Sequence, residues 1–349
     1  MRRTLLAIAS VAVLACRGDR PARTRPPLDA ATASPGAGTG AGPVTRVVDD
    51  APVPAAPRPP MPRRVSDELI ETGRGPRRVL RYRLEPLAQT VTATARITSH
   101  GFDGAWSDPV TLAPVREGFE VQPATGGGPI EVRGLVAERD DAGQPAAAIA
   151  AADAYLGRWR ALLERRRAQV GFDDRGQLGD VTLLDDPAGA TDPDSKDELA
   201  QRWLGLAVPL PEAAVGVGAR WKVVTMLRTG GAALSQTALY RLTAIEGDRW
   251  TIEVELTRLG RPQDIVVPGL PRGATAELIA LVRKVTGTVT VSPTRPLPIA
   301  GELTAEVRTH ARFAAPGAPA RDQYSEDRAT ISLSGDRLRG PIPPTSPQK

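Results

Sequence analysis

Apolar and polar side chains alternate residue by residue along several stretches of this chain. Between Arg249 and Leu256, Trp250, Ile252, Val254 and Leu256 alternate with Arg249, Thr251, Glu253 and Glu255. The same period recurs in five other segments: 80–84, 91–97, 289–291, 303–313 and 331–333. A period of two is typical of antiparallel strands that have one covered face and one face in water. The sequence therefore predicts a mainly β fold over residues 65–340, with antiparallel and curved sheets and one or two helices.

Turn residues divide these strands. Glu246-Gly247-Asp248 predicts one hairpin, and Asp173-Asp174-Arg175-Gly176 predicts another. Two segments have helical spacing instead, Pro145–Leu163 and Asp194–Leu206. The apolar residues of Leu278–Val285 fit both the helical period and the strand period. This segment is assigned to a strand because it continues into a β-rich segment. The β-rich region can be read as two similar halves that divide near 190–215.

The chain begins with a short basic segment and an apolar run that ends at Cys16, the only cysteine. Arg2 and Arg3 precede Leu5–Ala15, and this pattern is typical of a secretory signal peptide. The run is too short for a membrane span, which needs about 20 apolar residues. We therefore predict a signal peptide at residues 1–15.

Val13-Leu14-Ala15-Cys16 resembles the lipobox of bacterial lipoproteins. The resemblance implies cleavage before Cys16, attachment of diacylglycerol to its thiol and anchorage in membrane lipid at the cell envelope. The residue after Cys16 is Arg17 and not an Asp, which would favour retention in the inner membrane. In a bacterium with two membranes, the resemblance therefore implies anchorage in the outer membrane. The alternative is an ordinary secretory signal with a chance cysteine.

Residues 16–64 are rich in Pro, Ala, Gly and Arg and contain no aromatic residue. Such a composition buries too little apolar surface to fold, so we predict a disordered tether, and a disordered tail at 341–349. The alternative is a proline-rich ligand for a partner. The tether has a net charge of +4 out of +5 for the whole chain, which leaves the β-rich region near neutral. A nucleic-acid partner is therefore not expected.

A second resemblance depends on a short motif, Val208-Pro209-Leu210-Pro211 followed by Val215-Gly216-Val217-Gly218 and Trp221. Together with the later Gly287-Thr288-Val289-Thr290-Val291, it is similar to a group of bacterial lipoproteins with strand-rich C-terminal halves. The similarity covers about residues 165–315. It implies a β-rich envelope protein and no particular activity.

The residues that could carry chemistry are few. His310 lies on the polar side of its predicted strand, and His100 is assigned to a turn. With one cysteine and two histidines, we expect no metal site and no cofactor. The acidic clusters 173–174, 185–186 and 192–198 leave open a pair of catalytic carboxylates, although acids at turns and helix starts are usually caps. Most of the five tryptophans are interpreted as structural residues of the core.

These observations favour a non-enzymatic envelope lipoprotein with a binding or structural role. Its partners would be membrane lipid, through acylated Cys16, and a component of the cell envelope or an apolar ligand. One alternative is a carrier of lipid or another apolar ligand inside a concave sheet. The other is a carboxylate-dependent hydrolase of envelope polysaccharide.

Overall fold

The computed structural model describes residues 63–100, 106, 108–123, 129–163, 167–185, 196, 207–229, 232–265, 267, 270 and 272–337. Sixteen strands and one long helix lie in these ranges. They are β1 (Arg63–Glu71), β2 (Arg74–Arg78), β3 (Leu87–His100), β4 (Val110–Thr111), β5 (Val115–Gln122), β6 (Ile130–Arg139), α1 (Ala146–Leu163), β7 (Arg167–Phe172), β8 (Leu178–Leu183), β9 (Val215–Val217), β10 (Arg220–Thr229), β11 (Ala232–Glu246), β12 (Arg249–Gly260), β13 (Gln263–Ile265), β14 (Thr275–Val291), β15 (Ala300–Ala314) and β16 (Arg321–Arg337).

One antiparallel sheet contains fourteen of the strands. Its order is β1-β10-β11-β12-β14-β15-β16-β3-β5-β6-β7-β8, with β13 beside β14 and β4 beside β3, while β2 and β9 form a separate pair. The two ends of this order, β1 and β8, approach each other, so the sheet is strongly curved and nearly closed. An ion pair between Arg175, in the β7–β8 turn, and Asp67, in β1, joins the two ends. The predicted mainly β, antiparallel and curved fold is confirmed.

The alternation in the sequence corresponds to the two faces of this sheet. Ile252 of β12 is fully buried and lies between Leu242 of β11 and Val289 of β14. Both predicted hairpin turns are present, and Gly247 and Gly176 adopt positive φ angles of 58° and 76°. Leu278–Val285 lies within β14, as predicted.

The prediction of a strand at 80–84 is wrong, although its alternation does report burial. Leu80 and Tyr82 are 0% and 4% exposed, yet this segment belongs to no strand. Its backbone hydrogen bonds go to two distant parts of the chain. The Tyr82 N–H donates to Asp174 O at 2.6 Å, and the Arg83 N–H donates to Pro293 O at 2.7 Å. The segment therefore lies as an extended chain against the core without the ladder that defines a strand.

Strand β1 was not expected from the sequence, and it begins at Arg63, just inside the predicted tether. It has no clean alternation, and Val65 and Ile70 are 54% and 42% exposed. Charged side chains align it on β10 instead. Glu71 pairs with Arg220 at 3.0 Å, and Glu68 pairs with Lys222 at 3.7 Å. These cross-strand pairs explain why a hydrophobic pattern does not reveal this strand.

The inward face of the sheet carries two separate apolar clusters. The larger contains Trp221, Trp250 and Leu303 and receives side chains from α1, where Ala152 and Leu156 are fully buried. The smaller consists of Leu227, Ala232, Leu234, Ile265, Val267, Ala276, Leu278 and Leu281. Helix α1 confirms the predicted helix at Pro145–Leu163. Except for Lys196, the predicted helix at Asp194–Leu206 lies outside the described residues.

None of the helices in the described ranges combines the length and the apolar character needed to cross a bilayer.

Candidate functional site: an aromatic surface on the sheet

The predicted lipidation site, Cys16, lies outside the described residues, which begin at 63. Asp173 and Asp185, from two of the predicted acidic clusters, have structural roles, and Asp186 lies outside the described residues. The Asp173 carboxylate accepts backbone N–H bonds from Arg175 and Gln177, at 3.0 and 2.8 Å, and so closes the β7–β8 turn. Asp185 accepts hydrogen bonds from the Arg167 guanidinium at 3.0 and 3.2 Å.

Asp173 and Asp185 lie at opposite ends of the β7–β8 hairpin, about 20 Å apart by strand geometry. Glycoside hydrolysis needs two carboxyl groups about 5–9.5 Å apart, so Asp173 and Asp185 do not form such a pair. The cluster at 192–198, apart from Lys196, lies outside the described residues. Across the part of the chain that the structure describes, no group of three or more His, Cys, Asp or Glu side chains is placed to hold a metal ion.

Both histidines of the chain instead meet exposed aromatic rings on the outward face of β3, β15 and β16. The odd-numbered residues of these strands, such as Ile97, Ala305 and Ile331, are buried on the inward face. The even-numbered residues therefore point outward. We name the outward cluster the aromatic face; its members are His100, Trp106, His310, Tyr324 and Arg328.

Tyr324 lies on top of His310 in the neighbouring strand. The two residues are direct cross-strand partners, and their ring centroids are 4.0 Å apart with 23° between the planes. Tyr324 is nevertheless 57% exposed. Because one side of its ring covers His310, the exposed area belongs mainly to the other side, which presents a flat apolar surface to solvent.

Trp106 is held beside the end of β3 by a bridge to His100. The ring centroids of these two residues are 5.2 Å apart, and the guanidinium carbon of Arg328 lies 4.4 Å from the centroid of the Trp106 ring. Trp106 is 41% exposed. The contact with Arg328 has the geometry of a cation–π interaction and fixes the ring against the sheet.

Ion pairs surround the aromatic rings and balance one another. Arg328 bonds to Glu326 at 2.9 Å and lies 3.7 Å from Glu306, and Arg312 bonds to Asp322 at 2.9 Å. The hydrogen bond from Arg312 holds the pKa of Asp322 below its ordinary value. Burial opposes ionisation of Glu326, but hydrogen bonds from two arginines outweigh it and lower the pKa of this carboxyl as well. Both acids are therefore ionised at neutral pH.

The structure modifies two details of the sequence interpretation, both of them about histidines. His100 is not in a turn but ends strand β3. His310 is on the outward side, as predicted, but Tyr324 covers it. The interpretation of most tryptophans as core residues holds for Trp221 and Trp250, at 1% and 5% exposed, whereas Trp106, on which the sequence made no individual prediction, is 41% exposed. The sequence signal for the aromatic face is weak because its members are far apart along the chain.

A row of polar side chains crosses the inward face between the two apolar clusters. Gln236, Arg258 and Arg283 are successive cross-strand partners on β11, β12 and β14. The Arg258 guanidinium donates to Gln236 Oε1 at 3.1 and 2.6 Å. Burial, together with the charge of Arg283, lowers the pKa of Arg258 to about 9, and burial lowers the pKa of Arg283 to about 10. The sequence contains a signal for this position of Arg258. Arg258 lies two residues after Leu256 in β12, so the alternation of this strand, continued by one step, predicts that Arg258 is on the inward face.

Glu117, in β5, is an acidic side chain on the inward face. Its cross-strand partner on β3 is Val91, which is 7% exposed. Glu117 is half-buried, and burial raises the pKa of its carboxyl to about 8. The carboxyl is thus largely protonated at neutral pH.

A groove of about 560 Å³ runs over β10, β11, β12 and β14, and its lining includes Leu239 and Glu255. Its charged residues pair within the sheet, with Arg220 on Glu71 at 3.0 Å and Arg241 on Glu253 at 3.5 Å. It presents no exposed aromatic ring and is a weaker candidate than the aromatic face.

Comparison with known proteins adds no assignment, since no family model and no curated protein sequence matches the chain.

Proposed function

We propose that this chain is a lipoprotein of the bacterial cell envelope, anchored through acylated Cys16, and that its sheet is a non-enzymatic binding module. The lipobox Val13-Leu14-Ala15-Cys16 supports the anchor. The observation that carries the binding role is the aromatic face, where Trp106 and Tyr324 remain 41% and 57% exposed on a strand-built surface.

The residue types of the aromatic face are those that dominate binding energy at interfaces. Trp, Tyr and Arg are the most frequent hot-spot residues because they offer a large contact area with a polar end. Here each ring is already fixed, Tyr324 by the stack on His310 and Trp106 by Arg328. Pre-ordered rings lose little conformational entropy when a ligand binds.

The protonation states of the neighbouring acids favour binding over hydrolysis. A hydrolase of the classical type needs one carboxyl that is protonated at working pH. Hydrogen bonds from arginines keep the pKa values of Asp322 and Glu326 low, so these two groups accept hydrogen bonds and do not donate protons. Their chemistry matches a ligand with hydroxyl or amide donors.

The anchor is tested by replacing Cys16 in the full chain and labelling the cells with an alkyne-bearing fatty acid. We expect the wild-type chain to take up the label and to sediment with membranes, and Cys16→Ser to lose both properties. Ala15→Gly, which keeps the lipobox pattern, is the matched control. Equal labelling of Cys16→Ser and the wild type would refute the anchor.

The binding role is tested by co-sedimentation of the detergent-purified full chain with washed cell envelopes. Trp106→Ala and Tyr324→Ala should each reduce the bound fraction. Leu259→Ala is the control, because Leu259 is also an exposed apolar side chain, at 47%, on another part of the outward face. Unchanged binding by both aromatic variants would count against the proposal.

A second candidate is carriage of an apolar ligand inside the curved sheet. The smaller apolar cluster favours it, because Leu227, Leu234 and Leu281 are separated from the main core by the row of arginines. Lipid extraction of the purified chain followed by mass spectrometry tests the idea. A preparation without co-purifying lipid, and without uptake of added fatty acid, would exclude it.

A further inference from the structure

We propose that the aromatic face binds a neutral polysaccharide. This inference rests on the proposed function and specifies the chemical class of its ligand. The evidence is the combination of two exposed rings, a set of paired charges without a surplus of arginines, and the spacing between the two rings.

The rings provide the first part of the recognition. A sugar ring has an apolar face of C–H groups and a rim of hydroxyls, so it can lie flat on an aromatic side chain while the rim bonds to polar neighbours. Tyr324 offers such a surface, because its stack on His310 leaves the opposite side of the ring toward solvent. Trp106 offers the second surface on the side of its ring away from Arg328, whose guanidinium lies over the other side, and the residue is 41% exposed.

The polar neighbours provide the second part. Carboxylates and guanidinium groups lie beside the rings, where the carboxylates of Asp322 and Glu326 can accept hydrogen bonds from hydroxyls. Arg308 and Arg312 can donate to ring or hydroxyl oxygens through planar, forked N–H groups. These side chains are held by their mutual ion pairs, Arg312 with Asp322 at 2.9 Å and Arg308 with Glu326 at 3.4 Å.

The charges around the rings disfavour a polyanionic ligand. The surface pairs three arginines with four acids: Arg308, Arg312 and Arg328 with Glu277, Glu306, Asp322 and Glu326. A polyanion such as nucleic acid or an acidic glycan needs an excess of positive potential, which these paired charges do not provide. A neutral glycan has no net charge and can bind without an excess of positive potential.

The spacing indicates a chain and not a single sugar. Tyr324 and Arg328 are four residues apart on β16, which corresponds to about 13 Å. Since Trp106 covers Arg328, the two aromatic surfaces are separated by about this distance. An oligosaccharide of several units can contact both, and contact with both rings increases affinity over contact with either one.

The test is calorimetric titration of the full chain, in detergent, with neutral hexasaccharides. Chitohexaose, cellohexaose and maltohexaose are the neutral probes, and a hyaluronan hexasaccharide is the acidic control. We expect at least one neutral probe to bind and hyaluronan to bind more weakly. Raising the salt concentration from about 50 to about 500 mM should change the affinity for the neutral probe by less than about twofold.

Variants locate the binding. Trp106→Ala and Tyr324→Ala should each weaken the affinity about tenfold. Tyr324→Phe, which keeps the ring, and Leu259→Ala, which lies elsewhere on the sheet, should change it little. Thermal denaturation of each variant checks that the fold is intact.

Three results would overturn the inference: no binding of any neutral probe, equal or tighter salt-sensitive binding of hyaluronan, or concentration-dependent self-association that the two alanine variants abolish. If the chain still sediments with envelopes through Trp106 and Tyr324 while all neutral probes fail, the proposed function stands and only the ligand class is wrong. If envelope binding is also lost, both fail together.

Discussion

Glu117 allows a sharp test of the inward face, because the ionisation of its carboxyl is coupled to folding. Burial raises the pKa of Glu117 from 4.5 to about 8. Between these values the folded protein holds a proton that the unfolded chain releases. The free energy of unfolding must therefore fall as the pH rises from about 4.5 to 8. The substitution Glu117→Gln removes the ionisable group and with it this part of the pH dependence.

The expected size follows from the same two values. The difference between a pKa of 4.5 and one of about 8 corresponds to at most about 5 kcal/mol. Glu117 is half-buried, so solvent screens part of the penalty. We therefore expect that Glu117→Gln, compared with the wild type, gains about 2 kcal/mol in free energy of unfolding between pH 5 and pH 8.

Urea denaturation at pH 5, 6, 7 and 8 measures this gain. The difference between variant and wild type cancels contributions from groups that the substitution leaves unchanged, including Asp322 and Glu326. Glu120→Gln is the matched control on the same strand, where the Glu120 carboxylate accepts a hydrogen bond from Gln122 at 2.9 Å near the surface. A difference between Glu117→Gln and the wild type that stays constant across this pH range would refute the burial of Glu117 that we describe.

Two further predictions concern stability and are measured by urea denaturation at pH 7. Trp221→Ala should lower the free energy of unfolding by about 3–5 kcal/mol, because this buried ring stacks on Tyr240 and its N–H donates to Pro209 O at 2.7 Å. Trp106→Ala, which removes an exposed ring, should change the free energy of unfolding by less than about 0.5 kcal/mol. Similar losses for both variants would contradict the assigned burial. Gln236→Leu should lower the free energy of unfolding by about 2 kcal/mol, because it removes the oxygen that accepts two hydrogen bonds from the buried Arg258 guanidinium. Gln236→Glu keeps an acceptor at this position and should retain stability. Unchanged stability of Gln236→Leu would show that these two hydrogen bonds contribute little.

Much of the sheet could be predicted from the alternation of side chains, and the exceptions have physical causes. Strands β12 and β15 have an apolar side on the core and a polar side in water, so their sequences alternate. Strand β1 is aligned by ion pairs such as Glu71 with Arg220, which produce no hydrophobic period. The segment at 80–84 alternates because Leu80 and Tyr82 are buried, but no neighbouring strand pairs with it.

The candidate site was much less predictable. Trp106 and Tyr324 are more than 200 residues apart in the sequence. Their surface exists only because β16 pairs with β3 on one side and with β15 on the other. This pairing brings His100 beside Glu326 and His310 beside Tyr324.

The sequence by itself determined the local properties of this protein: the antiparallel β class, the hairpin turns at Gly176 and Gly247, helix α1, and the lipobox on which the predicted anchor at Cys16 depends. These depend on residues close together in the chain, where a period of two or a turn residue restricts the backbone directly. Only the tertiary structure decided which strands are neighbours, which tryptophan is exposed and which charges meet. Those features depend on the register between distant strands, where a shift of one residue would turn every side chain to the opposite face.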